Sequence, residues 1–136
     1  MINTEFLNKS IETLEKSYQL LQKADKDSID YEMYRNSLVK SFEMVIEQTG
    51  KLLRKRLLPY FSTKREVDNL IYKDLFKNAS KFSLITQEET ERWFKYRDNR
   101  NETAHDYGEQ FANDTLSLID DFLIDAKKIE EVIKNG

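Results

Sequence analysis

The strongest constraint on the fold is a long apolar stripe between Asp30 and Leu58, directly before Pro59, the only proline in the chain. Apolar residues recur there at alternating steps of three and four, the spacing of one face of an α-helix. A proline pushes the preceding residue out of helical conformation, so the helix must end here. We therefore predict one long helix over about Asp30 to Leu58, with an inward face formed by Leu38, Phe42, Val45, Thr49 and Leu52 and widened by Val39, Ile46 and Leu53.

Similar stripes predict a long helix near each end of the chain. The first covers about Thr4 to Ala24, with Thr4 as its N-terminal cap. The last covers about Glu109 to Ile133. Their inward faces consist of Leu7, Ile11, Leu14, Tyr18 and Leu21 in the first helix, and of Phe111, Thr115, Leu118, Phe122, Ala126, Ile129 and Ile133 in the last.

Two shorter helices are predicted in the middle of the chain, after a connection at Tyr60 to Lys64. One covers about Val67 to Phe82, with Leu70, Ile71, Leu75 and Phe82 inward. The other begins at a capping box, in which Thr86 and Glu89 satisfy each other's backbone N–H groups, and it runs to about Asn99. One side of this second helix is predicted to carry Trp93, Phe94, Arg97 and Arg100.

These segments predict an all-α fold, because no strand pattern of any length appears. Short connections favour an antiparallel, up-down four-helix bundle with an additional short helix, in a single domain over residues 1–136. Three glycines and one proline suit long helices with few turns. Eight phenylalanines and seven tyrosines supply a core large enough for a folded domain.

Several classes of protein are disfavoured by what the sequence lacks. Without cysteine there is no disulfide, no thiolate nucleophile and no cysteine-ligated zinc. No apolar run has the length of a membrane span, and the first residues lack the pattern of a secretory signal. We therefore expect a cytoplasmic protein that needs no metal and no cofactor.

Charge is distributed unevenly along a chain whose net charge is −3. The segment from Lys51 to Lys81 contains nine basic residues against three acidic ones, whereas the segment from Glu109 onward is acidic. A basic middle can attract phosphate groups even in an acidic protein. The alternative is an ordinary solvated helix surface.

The polar segment from Arg100 to Tyr107 holds the only histidine, His105. In a continuous helix Arg100 and His105 would lie about 140° apart, and His105 and Tyr107 about 160° apart. The three side chains therefore converge only if the helix breaks within the segment. Residues that suit a break are present at Asn99, Asn101, Asp106 and Gly108.

This combination of side chains suits cleavage of an RNA phosphodiester. His105 can exchange a proton near neutral pH, Arg100 can hold a phosphate through two hydrogen bonds, and Asn101 can orient either group. The 2′-hydroxyl of RNA supplies the nucleophile. Cleavage needs both an acid and a base, so a chain with one histidine would act as a two-fold dimer.

Other interpretations of the same residues remain open. A lone histidine is often a structural hydrogen bonder. The Glu102-x-x-His105 pair matches one half of a di-iron helical-bundle site, which needs a second such pair and further carboxylates. On the long helix, Glu43, Glu47 and Lys51 follow each other at steps of four, either as surface ion pairs or as one wall of a cleft.

Arg100-Asn101-x-x-x-His105-x-Tyr107 resembles the R-x4–6-H motif of the HEPN superfamily and is similar to HepT-type toxins, also called nucleotidyltransferase substrate-binding proteins. Phe42-Glu43-x-x-x-Glu47-x-x-x-Lys51 resembles a second pattern of that family. The chain departs from the family at Gly50, where many relatives carry a large aromatic residue, and at Gly108, where relatives often carry an acid.

The resemblance implies a HEPN-like helical fold and a homodimer whose two motifs meet in a cleft and cleave RNA without metal. It assigns the scissile phosphate to Arg100, assistance to Asn101 and acid–base catalysis to His105, with Glu43, Glu47, Lys51 and Arg97 supporting the cleft. A partner minimal nucleotidyltransferase (MNT) would act as antitoxin by transferring AMP to Tyr107. A second possibility is a non-catalytic substrate- or nucleotide-binding subunit of a two-component nucleotidyltransferase.

Overall fold

The computed structural model describes the backbone of residues 1–103 and 109–136, and the side chains of residues 1–100 and 113–136. Every regular element in these ranges is helical, as predicted. None of the described helices is both long and apolar enough to cross a bilayer. The elements are α1 (Glu5–Lys23), α2 (Ile29–Leu57), a 3₁₀ turn (Leu58–Tyr60), α3 (Lys64–Asp68), α4 (Tyr72–Lys81), α5 (Gln87–Thr103), α6 (Glu109–Leu116) and α7 (Ile119–Lys134).

Helix α2 is the central element of an antiparallel bundle, in contact with α1, α4, α5 and α7. Its predicted inward face is buried throughout, because the apolar stripe meets helices along its whole length. The helix ends at Leu57, and Pro59 lies within the 3₁₀ turn that follows. The prediction of one long helix over this segment is therefore confirmed, with its boundaries shifted by one residue.

An aromatic cluster joins the helices at the middle of the core. Phe122 of α7 contacts Phe42, Trp93 and Tyr96, with ring centroids 4.6, 5.5 and 4.8 Å away. Trp93 also stacks on Phe76 of α4 at 4.9 Å. All five rings are almost completely buried, so this cluster fixes α5 against α2, α4 and α7.

The start of α1 differs from the prediction that Thr4 caps it. The Thr4 hydroxyl donates instead to Glu130 of α7, at 2.6 Å, and Asn8 donates to the same carboxylate oxygen at 3.1 Å. The backbone N–H of Glu5 is satisfied by the side chain of Asn3 at 2.9 Å. A buried acid on the opposite helix thus outcompetes the local capping bond for the Thr4 hydroxyl.

The predicted helix over Val67 to Phe82 is two helices, α3 and α4, and α3 begins inside the predicted connection. Ile71, predicted to point inward, is exposed, because it occupies the extended position just before α4. Its backbone N–H donates to the Asp74 carboxylate at 3.4 Å. A local cap that stabilises the start of α4 therefore overrides the apolar pattern here.

Helix α5 begins at the predicted capping box, where Glu89 N donates to the Thr86 hydroxyl at 3.1 Å and Thr86 N donates to the Glu89 carboxylate at 3.0 Å. The prediction that α5 ends near Asn99 is wrong, because the helix continues to Thr103. The side chain of Asn99 is buried and donates to the Thr115 hydroxyl of α6 at 3.0 Å. It ties two helices together rather than ending one.

The predicted last helix is also two helices, α6 and α7, separated at Ser117 and Leu118. Leu118 N donates to Thr115 O, three residues back, and the Ser117 hydroxyl donates to Asp114 O. Asn113, Asp114, Thr115 and Ser117 all have low helix propensity, because their short polar side chains compete for backbone groups. The apolar stripe continues across this break, so periodicity alone did not reveal it.

Candidate functional site

The candidate site lies where the C-terminal part of α5 meets the middle of α2. The Arg100 guanidinium donates to the Glu47 carboxylate across the two helices, at 2.6 Å. About a quarter of the Arg100 side chain is exposed, against 56% of the Glu47 side chain. The pair is therefore reachable from solvent and holds the arginine in a defined direction.

One turn earlier on α5, the Arg97 guanidinium lies over the ring of Tyr72, 4.5 Å from the ring centroid. The Tyr72 hydroxyl donates to the backbone oxygen of Ile46 at 2.9 Å, beside Glu47. Burial raises the pKa of Tyr72 well above its ordinary value, and the charges of Arg97 and Arg100 oppose that shift. Tyr72 thus stays neutral and links α4 to the turn of α2 that holds Arg100.

Gly50 makes this arrangement possible. A Cβ atom at residue 50 would lie 2.6 Å from Cε2 of Tyr72, far closer than two carbon atoms can approach. The aromatic ring beneath the site therefore comes from α4, over a glycine on α2. Many relatives carry a large aromatic residue where this chain has Gly50. Here the ring of Tyr72, from another helix, occupies the space beside that glycine.

Phe94 and the lysines of α4 form the edge of the same surface. Lys73 and Lys77 lie over the Phe94 ring, with their Nζ atoms 5.4 and 6.0 Å from its centroid, and Lys73 also pairs with Asp98 at 2.8 Å. The side of α5 that meets α2 and α4 therefore carries all four residues that the spacing predicted there, namely Trp93, Phe94, Arg97 and Arg100.

The charged residues along one edge of α2 lie in two different environments. Glu47 contacts Arg100, whereas Lys51 lines two surface depressions of about 400 and 230 Å³ near the start of α1 and beside α3. Lys55 lines both depressions as well. Glu43 is partly buried one turn before Glu47. Lys51 thus extends the surface away from Arg100 along α2.

The remaining predicted site residues fall where the side chains are not described. Asn101 belongs to the last turn of α5, and its side chain is among those undescribed. His105 and Tyr107 lie outside the described residues. Helix α5 is described as far as Thr103, and α6 is described from Glu109 onward.

A second arginine–carboxylate group on α5 escaped the sequence analysis. Arg92 donates to both oxygens of Asp125, at 2.8 and 3.0 Å, and the Tyr96 hydroxyl donates to the same carboxylate at 2.5 Å. Asp125 and Tyr96 are buried. Burial and the bond to Asp125 raise the pKa of Tyr96, and the Asp125 bond raises that of Arg92. The sequence feature that could have indicated this group is Asp125, an acid three residues after Phe122 on an otherwise apolar helix face.

The chemistry open to the site follows from these contacts. Two guanidinium groups, three residues apart, face one side of α5. Glu47 orients one of them and Tyr72 orients the other. Guanidinium groups can bind phosphate through their in-plane N–H donors.

Nearly the whole chain matches a family of known proteins. The model of the family described as "Nucleotidyltransferase substrate binding protein like" matches residues 3–135. A Haemophilus influenzae protein named "Probable ribonuclease HepT" is 27% identical over 139 residues, covering 98% of this chain and 92% of that protein.

Solved structures share the fold. One from Haemophilus influenzae, described as the fold of a substrate binding domain of a nucleotidyltransferase, has a TM-score of 0.81 and 25% identity, covering 97% of this chain and 99% of that one. A tri-AMPylated Shewanella oneidensis HEPN toxin, solved in complex with MNT antitoxin, has a TM-score of 0.66 and 18% identity, covering 99% and 100%. By its match over nearly its whole length, the chain belongs to the family described as nucleotidyltransferase substrate binding protein like.

Proposed function

We propose that this chain is the toxin of a HEPN/MNT-type toxin–antitoxin pair, a metal-independent endoribonuclease that acts in the cytoplasm as a homodimer. The observation that carries the proposal is the Arg100 guanidinium held by Glu47 at 2.6 Å, directly before the segment that contains His105. Similarity over 98% of the chain to a protein named as a probable ribonuclease supports it.

In the proposed reaction the 2′-hydroxyl of RNA attacks the adjacent phosphorus. His105 of one protomer takes the proton of that hydroxyl, and a second histidine returns a proton to the departing 5′-oxygen. The products are a 2′,3′-cyclic phosphate and a free 5′-hydroxyl. Arg100 binds the phosphate oxygens, whose charge grows as the bond forms, and Asn101 assists. Glu43, Glu47, Lys51 and Arg97 support the cleft.

The homodimer follows from the number of histidines. Each chain has only His105, and the reaction requires a group that accepts a proton and another that donates one. A two-fold axis that brings two copies of the segment together supplies both. Light scattering of the purified protein tests this step, since a monomer active at full rate would contradict it.

Cleavage of RNA by the purified chain in the presence of a chelator tests the enzymatic claim. We expect His105→Ala and Arg100→Ala each to lower the rate by at least about 100-fold. Arg35→Ala is the matched arginine control, because residue 35 lies about 18 Å from residue 47 along α2. Unchanged cleavage by His105→Ala would refute the catalytic assignment.

We propose that a partner MNT silences the toxin by transferring AMP to Tyr107. The added phosphate and adenosine would place negative charge and bulk where the RNA phosphate must approach. The tri-AMPylated state of the Shewanella HEPN toxin in complex with its MNT antitoxin supports this chemistry. Mass analysis after incubation with such a nucleotidyltransferase and ATP should find AMP on the wild type and not on Tyr107→Phe.

A second function is favoured by the family description and by the Haemophilus structure, both of which refer to substrate binding for a nucleotidyltransferase. In that case the chain would present substrate or nucleotide to a partner enzyme without cleaving RNA. It predicts a stable complex, no RNA cleavage and ligand binding that depends on Arg100. The cleavage assay separates the two functions directly.

A further inference from the structure

Arg97 differs from the two arginines that flank it on the same helix. Arg92 is paired with Asp125, and Arg100 is paired with Glu47. Among the residues that the structure describes, no carboxylate forms an ion pair with Arg97, and its neighbour Asp98 is paired with Lys73 at 2.8 Å. Arg97 is partly buried. A guanidinium in this position can bind an anion through its N–H donors.

The orientation of Arg97 comes from the Tyr72 ring. The guanidinium carbon lies 4.5 Å from the ring centroid. A guanidinium that stacks its flat face on an aromatic ring keeps the N–H groups in its plane available to other acceptors. Those in-plane donors are the ones that bind two oxygens of a phosphate at once.

Tyr72 is itself held in place from two directions. Its hydroxyl donates to Ile46 O at 2.9 Å, and its ring fills the space that Gly50 leaves, where a Cβ would lie 2.6 Å away. Ile46 directly precedes Glu47, the residue that holds Arg100. One turn of α2 therefore positions Arg97 through Tyr72 and Arg100 through Glu47.

We propose that Arg97 binds a second phosphate of the RNA strand, next to the phosphate that Arg100 binds. Arg97 and Arg100 are three residues apart and thus neighbours on one helix face, with Cβ atoms about 5–6 Å apart. Tyr72 and Gly50 are positioning residues for this contact. The inference rests on the proposed function, because it assigns a further contact to the same RNA.

Binding of a 2′-O-methyl RNA oligonucleotide, which this reaction cannot cleave, tests the contact at several salt concentrations. Arg97→Ala should weaken binding by about 10-fold, the effect of losing a hydrogen bond to a charged group. Its salt dependence should fall by about 0.7 in slope, the value for one phosphate of a single strand. Arg35→Ala is expected to change neither quantity. An unchanged slope in Arg97→Ala would overturn the proposal.

The Tyr72 platform is tested by a double-mutant cycle. We expect Tyr72→Leu to weaken binding about as much as Arg97→Ala, and the double variant to be no weaker than either one. Tyr72→Phe keeps the ring and should bind within about threefold of the wild type. A Tyr72→Leu effect that is equally large without Arg97 would overturn the platform role. Circular dichroism checks that each variant is folded. If Tyr72→Leu is not folded, Tyr72→Phe supplies the test, because binding weakened by more than about threefold would overturn the role of the ring.

Cleavage kinetics separate this contact from catalysis. With cleavable RNA, Arg97→Ala should raise KM by about 10-fold and leave kcat within about threefold, whereas Arg100→Ala should lower kcat. A wild type that binds the oligonucleotide through Arg97 but cleaves no RNA would refute the ribonuclease and keep the Arg97 contact. A wild type that cleaves RNA with no contribution from Arg97 would keep the ribonuclease and refute the Arg97 contact.

Discussion

Helix α5 carries two arginine–carboxylate pairs, eight residues apart, in opposite surroundings. Arg92 and Asp125 form a bidentate pair in which the carboxylate is 1% exposed and also accepts from Tyr96. Arg100 and Glu47 form a single contact in which the carboxylate is 56% exposed. The first pair has its acid fully enclosed by donors, whereas the second is open to solvent and to a ligand.

The difference shows that an ion pair's role depends on what surrounds it. A buried carboxylate requires its donors, so removing either partner is costly to stability. An exposed pair adds little to stability, because water and salt compete for both charges. An arginine–carboxylate pair therefore stabilises the fold at one end of α5, whereas at the other end an exposed acid orients Arg100.

The largest expected effect is on the buried group. Asp125→Ala should lower the free energy of unfolding by about 3 kcal/mol, because Arg92 and the buried Tyr96 hydroxyl lose their acceptor. Urea denaturation measures this change. Asp121→Ala, at an exposed position of the same helix, is the control and should stay within about 0.5 kcal/mol of the wild type. A loss below about 1 kcal/mol for Asp125→Ala would mean that the buried and the exposed pair contribute equally to the free energy of unfolding.

An intermediate effect is expected at alkaline pH. Tyr96 has its pKa raised above the ordinary value of 10.0, so above that pH the unfolded chain loses a proton that the native state keeps. The free energy of unfolding should then fall as pH rises, by about 1.4 kcal/mol per pH unit for each such tyrosine.

Denaturation of the wild type and of Tyr96→Phe at about pH 9 and about pH 11 isolates this contribution. Tyr72 also has a raised pKa and remains in both proteins, so its share cancels in the difference. The wild type should lose more stability over this interval than Tyr96→Phe. Equal losses would show that burial and the bond to Asp125 do not keep Tyr96 protonated in the native state.

The smallest effect on stability is expected at the open pair. Glu47→Ala should change the free energy of unfolding by about 0.5 kcal/mol or less. It should nevertheless slow RNA cleavage several-fold, because Arg100 loses the carboxylate that orients it. Glu12→Ala, at an exposed acid on α1, is the control for both measurements and should change neither. A large loss of stability with unchanged cleavage would reverse the roles assigned to the two pairs.

Sequence patterns predicted the bundle because periodicity reports which residues face inward. The stripes of α1 and α2 and the capping box of α5 depend on residues close in sequence, and the structure confirms all three. The breaks before α4 and α7 were missed, because apolar spacing continues across them. Predicting them would have required the local competition between side-chain and backbone hydrogen bonds.

The candidate site was predicted only in part. The spacing of Arg97 and Arg100 indicated one shared side of α5, and both lie there. The identity of their partners was not predictable, because Glu47 is 53 residues from Arg100 and Tyr72 is 25 residues from Arg97. The role of Gly50 was equally hidden, since it depends on a ring supplied by another helix.

The sequence by itself determined an all-helical chain, its inward faces and the motif residues, because these depend on local propensity and on spacing along one helix. Only the tertiary structure decided which arginine pairs with a buried acid, which pairs with an exposed acid and which lies on an aromatic ring. Those outcomes depend on contacts between helices that are far apart in sequence and adjacent in the fold. Burial then sets the value of each contact, since the same pair of charges behaves differently in the core and in water.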